Sequence, residues 1–240
     1  MARKGKTSFT KQQASTETRF VKWRKYQQFI LVVCEDQHTE PTYIRTFGHY
    51  FPEHTLYLEV AGVGRDPLGV VLAAIEHRNS LAGLTKREID EIWVIFDKDD
   101  ADYNKARIDR FNRAFEVANE NTFNIAWSNE VFELWLLLHF IDIDPTVPLP
   151  RITVYNYLKN TINNLIGTEV IFDGHSNPDI IPYLSSHGSE DKAIKRAEIL
   201  LLHHAAALPI AANPATKMHL LIKSLRDWIT YYNYYSSPND

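Results

Sequence analysis

Between residues 29 and 127, short continuous apolar runs alternate with stretches whose apolar positions recur at helical spacing. Phe29 to Cys34 (FILVVC), Thr55 to Ala61 (TLYLEVA) and Glu91 to Phe96 (EIWVIF) are β-branched or aromatic runs, the pattern of strands covered on both faces in a parallel sheet. Between the first two, Tyr43, Ile44, Phe47, Tyr50 and Phe51 mark an amphipathic helix with Pro41 in its first turn. A second helix is predicted over Pro67 to Asn79. A third, near Lys105 to Asn119, places Ile108, Phe111, Phe115 and Ala118 on one face and leads into a short strand at Phe123 to Trp127. The order βαβαβαβ with short loops predicts an α/β layer fold with a mostly parallel sheet and right-handed crossovers.

Beyond Trp127 the pattern changes. Val131 to Ile141 is apolar nearly all round and reads as a buried helix, with Ser128 and Asn129 as its caps. Asp142 to Pro150 is rich in breakers. Glu169 to Phe172 is the one further candidate strand; Ser189 is placed to cap a helix through Ala206, and Met218 to Tyr232 keeps helical spacing throughout. The expected organisation is therefore an arm at 1–25, an α/β core at 26–145 and a mainly helical extension at 146–240.

Composition narrows the class. Hydrophobic residues at 45%, charged residues at 23% and 29 aromatic residues exclude a disordered chain. The apolar run from Leu134 to Phe140 is too short to span a bilayer, and the opening residues do not read as a secretory leader, so no membrane association and a cytoplasmic location are expected. A single cysteine, Cys34, excludes an internal disulfide framework and a cysteine-rich zinc site, and reads as a buried strand residue.

The net charge of −4 is unevenly distributed. Residues 1 to 28 hold eight basic residues against Glu17 alone, so the rest of the chain is acidic by eleven charges. The arm reads as flexible. It is either a phosphate-attracting tail, with Lys22, Arg24 and Lys25 at its base, or a solubilising terminus.

The acids fall where chemistry is expected. In open parallel sheets ligands bind beyond the carboxyl ends of the strands. The first strand ends into Glu35, Asp36 and, one turn on, Glu40; the third runs into Asp97, Lys98, Asp99 and Asp100. Like charges gathered at one edge repel unless a cation neutralises them, and a hard divalent ion such as Mg²⁺ or Mn²⁺ takes such oxygen ligands. One DxD alone is more often a turn or a helix cap. Glu35 and the DxD on separate strand ends favour a metal. Glu133 lies inside the apolar stretch, where a carboxylate needs a cation or a donor, so it joins Glu40 as a candidate further ligand. Lys98 is placed to touch a phosphate but reads more simply as a solvated lysine, and Arg65, in a glycine-containing turn before a helix, is a second candidate phosphate contact.

Residues Ile30 to Glu35 followed by Thr39-Glu40-Pro41-Thr42-Tyr43, Val94 to Asp100, and Ser128-Asn129 with Phe132 to Phe140 together resemble the RloB family. Asp66-Pro67 and Asn213-Pro214-Ala215-Thr216 fit as well, so the resemblance covers nearly all of 29–229. It implies a TOPRIM-like core, as in topoisomerases, primases and OLD-type nucleases, and a role in prokaryotic defence against phage beside an ATPase partner. The TOPRIM glutamate falls on Glu35 and its DxD on Asp97 and Asp99. Two positions depart from the pattern: Asp36 stands where a glycine usually follows the glutamate, and Glu130 where a proline follows Ser128-Asn129. Either adds a carboxylate to the site or marks weakened catalysis.

The resulting expectation is a Mg²⁺-dependent nuclease acting on DNA or RNA phosphodiester bonds. Asp97 and Asp99 would hold the ion, with Glu35 as ligand or general base. The alternative from another class is a non-catalytic regulatory or toxin subunit of a defence complex. Phosphoryl transfer of the haloacid-dehalogenase kind fits less well, because its DxD closes the opening strand of the core and here two strands precede it. The tyrosines at 231, 232, 234 and 235 read as packing on the domain or a partner, and His203-His204 face different directions on a helix.

The charge division yields one test. Deleting residues 1–25 is expected to weaken nucleic-acid binding and flatten its dependence on salt, measured as the slope of log affinity against log salt; an unchanged slope would leave the arm a solubilising tail.

Overall fold

The computed structural model describes residues 27–85, 87–167 and 178–236. The arm, with Lys22, Arg24 and Lys25, and the candidate strand at Glu169 to Phe172 lie outside the described residues. Five strands form one sheet: β1 (Gln28–Cys34), β2 (Leu56–Gly62), β3 (Glu91–Asp97), β4 (Asn124–Asn129) and β5 (Ala215–Thr216), in the order β2-β1-β3-β4-β5. The first four are parallel, and β5 is antiparallel to β4. Eight α-helices among the described residues flank the sheet: α1 (Thr39–Thr46), α2 (Pro67–Thr85), α3 (Lys105–Glu120), α4 (Glu133–Leu138), α5 (Arg151–Ile166), α6 (Ile181–His187), α7 (Glu190–His203) and α8 (Met218–Ser236). The chain thus has the expected α/β architecture, a mostly parallel sheet covered by helices with a mainly helical C-terminal region. No helix among the described residues is long and apolar enough to cross a membrane.

Each strand feeds two cores, because successive side chains point to opposite faces. Ile30, Val32 and Cys34 of β1 pack with Trp93 and Ile95 of β3 against α1, α4 and α8. Leu31 and Val33, with Val94 and Phe96, pack against α2 and α3. Complete burial of Cys34 pushes its thiol well above the ordinary range, which makes it an inert strand residue.

The C-terminal region does not stand apart from the sheet. Leu221, Ile222 and Leu225 of α8 are fully buried in the same cluster as β1 and α4. Arg226 pairs through two nitrogens with Glu190 of α7, while its guanidinium lies 4.8 Å from the Phe47 ring centre and 4.9 Å from that of Tyr50. Glu91, at the start of β3, accepts from the Trp93 indole and also from Ser224 and the Trp228 indole of α8.

Three local expectations are corrected. The helix placed over Tyr43 to Phe51 is α1 ending at Thr46, followed by a 3₁₀ turn over Phe47–Tyr50. The helix expected over Val131 to Ile141 is confined to Glu133–Leu138, because partners outside it take its last carbonyls: Arg196 donates to Leu138 O and Ser189 N–H to His139 O. Ser128 and Asn129 are not caps but the last residues of β4. The Ser128 hydroxyl is 3.0 Å from that of Thr216 in β5, and Asn129 Nδ2 donates to Pro209 O. These partners come from a segment some 80 residues on, which local patterning does not reveal. Ser189, by contrast, caps α7 as expected, accepting from Lys192 N–H.

Leu225→Ala is expected to cost about 2–5 kcal/mol, the usual cost of truncating a fully buried leucine. Urea unfolding of this variant should remain one cooperative transition, since α8 shares the core of the sheet; two separated transitions would show the C-terminal region to fold independently.

Candidate active site

The site is built from the carboxyl ends of β1 and β3 and the start of α4. Where β1 ends, the chain turns sharply, and Glu35 Oε2 accepts the backbone N–H of Asp97 at 2.8 Å, tying the two strand ends together. Asp97 in turn accepts the Phe132 N–H through Oδ2 at 2.7 Å, so its carboxylate satisfies an N–H just ahead of α4, which lacks a capping side chain of its own. Asp97 Oδ1 is buried and has no hydrogen-bond partner among the described residues.

The loop after β1 depends on close backbone approach. Gly64 has φ +62°, and a Cβ on Gly62 would stand 2.4 Å from Asp36 O, so the β2 exit admits only glycine beside this turn. Asp36 accepts backbone N–H groups from Gln37 and Thr39, and its own N–H goes to Glu40 Oε2 at 3.2 Å. The residue at the usual glycine position therefore organises its own loop.

Five carboxylates converge here in two tiers. Glu35 and Asp99 line a cleft of about 230 Å³ with Asp66, Lys98, Arg107 and Arg110. Behind it, Glu40 is 2% and Glu133 7% exposed, beside the buried carboxylate of Asp97. Burial, helped by Asp99, Asp66 and Asp36, pushes Glu35 up to about 8 despite the N–H it accepts. Glu133 rises to about 7, chiefly by burial. Asp97 and Glu40 are raised well above the carboxylate range, again by burial first and then by the neighbouring acids. Burial also raises Asp99, with Arg151 opposing it.

Besides Arg107 and Arg110, which line the cleft and were not foreseen, Lys98 and Arg151 pair with acids that follow β3. Lys98 is only 5% exposed, with Nζ 2.7 Å from Asp102 and 3.5 Å from Glu130. The expectation of a solvated lysine is corrected: the short turn after β3 folds its side chain inward, where burial demands ionic partners. Arg151, at the start of α5, faces Asp99 Oδ1 at 3.3 Å and also pairs with Asp100. Nothing in the sequence marked it, because it follows a proline-rich loop far from any strand end. Tyr155, one turn along α5, feels Glu133, Asp97 and Asp99, which together with burial push its phenol up. Glu130 accepts the Arg151 N–H at 2.8 Å, so this second departure from the family pattern seats α5 and neutralises Lys98. Arg65 pairs with the exposed Glu76 at 3.4 Å and does not line the cleft, whereas neighbouring Asp66 does.

The structure thus brings Glu35, Asp97, Asp99, Glu40 and Glu133 into one neighbourhood. Among the described residues no three of their side chains stand in ready-made chelating positions. The donor set is all oxygen and suits a hard divalent ion, and the unpartnered Asp97 Oδ1 is a buried acceptor of the kind a cation or a donor satisfies.

The fold and site define an α/β protein with a recessed carboxylate cleft at the carboxyl edge of its sheet. The family model described as RloB-like protein matches residues 30–225, and the chain belongs to the RloB-like family. No curated protein and no solved structure matches the chain.

The raised acids fix the sign of a pH dependence. Glu35 and Glu133 titrate near 8 and 7 in the fold, against roughly 4.3 for an unfolded glutamate, so the native state binds more protons through this interval. Their contribution to stability is complete below about pH 4 and is lost as pH rises towards 8. The unfolding midpoint in a chelating buffer is expected to fall between pH 5.5 and 8.5, with a shallower fall for Glu35→Gln. A midpoint that rises across this window would contradict the site's electrostatics.

Proposed function

We propose that the chain is a metal-dependent nuclease that hydrolyses nucleic-acid phosphodiester bonds in defence against phage, acting with an ATPase partner. The observation that carries this reading is the buried, unpartnered Oδ1 of Asp97, whose N–H is bound by the cleft-lining Glu35. Asp97 and Asp99 would hold Mg²⁺ or Mn²⁺, with Glu35 as ligand or general base and Glu40 and Glu133 as further ligands. The bound ion supplies Lewis acidity and a water of lowered pKa.

The protein's own groups divide the remaining work. The N–H of Asp97 fixes the Glu35 carboxylate through Oε2 and leaves Oε1 to accept a proton from the attacking water. Burial and the neighbouring acids raise the proton affinity of Glu35, and a base must lose that proton before it can take one from water. Arg151, at the Asp99 side of the cleft, provides a fixed positive charge for a phosphate oxygen.

The pairing of Asp99 with Arg151 favours a second reading, a non-catalytic regulatory or toxin subunit, in which the arginine serves as the permanent counter-ion of the aspartate. Cleavage separates the two. With the ATPase partner present, the wild-type chain is expected to cut DNA or tRNA in Mg²⁺ or Mn²⁺ and to stop in EDTA. Asp97→Asn, Asp99→Asn and Glu35→Gln should each fall by about a thousandfold or more, while Mg²⁺ raises the unfolding midpoint of the wild type alone. Cutting that persists in EDTA, or an Asp99→Asn variant of normal rate, would leave the regulatory reading in front.

A further inference from the structure

The short turn that follows the DxD carries an aromatic residue that core packing does not explain. Tyr103 closes the 3₁₀ turn Ala101–Tyr103 between β3 and α3 and is 78% exposed. The guanidinium of Arg107 lies over its ring, 5.4 Å from the centre. Arg107 itself lines the carboxylate cleft, one helical turn before Phe111. Phe111 is buried and packs edge-on against Phe96 of β3, so this end of α3 is held rigidly to the strand that bears Asp97. Asn104 caps the helix by accepting the Arg107 N–H at 3.0 Å, which fixes the backbone between the two residues.

Charge is arranged to match. Arg107 and Arg110 lie three residues apart on α3 and both reach the cleft, and Arg151 stands at its Asp99 side. Asp66 holds Arg110 in place through two hydrogen bonds. A recessed acidic site is thus rimmed by guanidinium groups, one of which is stacked on an exposed phenol ring. A planar π-face next to cations that track a phosphate backbone is the usual means of holding an unpaired base.

The exposed ring selects the form of nucleic acid. A duplex keeps its bases stacked inside and so offers no free base face to Tyr103. A single strand or a loop can turn one base out onto the phenol ring while its phosphate reaches the acids.

We propose that the Tyr103–Arg107 pair is a subsite for an unstacked nucleobase, so that the chain takes single-stranded or looped nucleic acid in preference to continuous duplex. The inference deepens the nuclease reading, on which it rests, but its test is one of binding.

Fluorescence anisotropy of the full-length chain in Mg²⁺, in an Asp99→Asn background so that the probe stays intact, would compare labelled single strands, hairpin loops and blunt duplexes of DNA and RNA. Single strands and loops are expected to bind at least tenfold more tightly than duplex. Tyr103→Ala should weaken the single-strand complex about tenfold, as for the loss of one base–aromatic stack, with Tyr103→Phe restoring it. Arg107→Gln should lower the salt slope by about 0.7, the share of one phosphate of a single strand. Duplex bound as tightly as single strand, a Tyr103→Ala variant that binds normally, or no binding to any probe would overturn the subsite. Retained single-strand preference without cleavage by the wild type would instead uphold the subsite and refute the nuclease reading.

Discussion

A buried carboxylate at the end of the third strand holds the site together. Asp97 gives its N–H to Glu35 and takes the N–H of Phe132, so one residue joins the exits of β1 and β3 to the approach to α4. Burial of a carboxylate is costly unless donors or a cation compensate it. Here one oxygen has its donor, and the other, Oδ1, has none among the described residues. The geometry of this sheet edge and its unpartnered buried oxygen therefore trace to one residue.

The parallel sheet explains why the acids meet. β1 and β3 are adjacent and run in the same direction, with Cys34 in register with Ile95, so residues just beyond their ends emerge side by side. The α1 helix brings Glu40, and α4 brings Glu133, close enough to act on Asp97. Burial raises each one's affinity for protons and the neighbouring acids add to it, so the shifts within the group all point the same way.

Much of this was legible in the chain. The four parallel strands announce themselves as apolar runs, and the strand-end rule selects Glu35, Asp97 and Asp99 without knowledge of their distances. Glu133 was legible because a lone acid in VFELWLLL needs an explanation. What escaped depends on long-range closure. Arg151 and Tyr155 reach the acids only because α5 packs its first turns against the site, and Ser128 and Asn129 find partners in residues 209–216. Lys98 illustrates a different limit: alternation along a strand does not determine a side chain's direction once the strand has turned into its loop.

The two departures from the family pattern acquire a physical meaning from these contacts. Asp36 uses its carboxylate to accept N–H groups of its own loop, and Glu130 uses its carboxylate to seat Arg151 and face Lys98. Neither lines the cleft with Glu35 and Asp99. Lys98 is shared by Asp102 and Glu130, while Arg151 pairs with Asp99 and Asp100; among the described residues Asp97 Oδ1 has no donor. Among the described residues the ion pairs of the DxD therefore fall on its outer aspartate and not on the inner one.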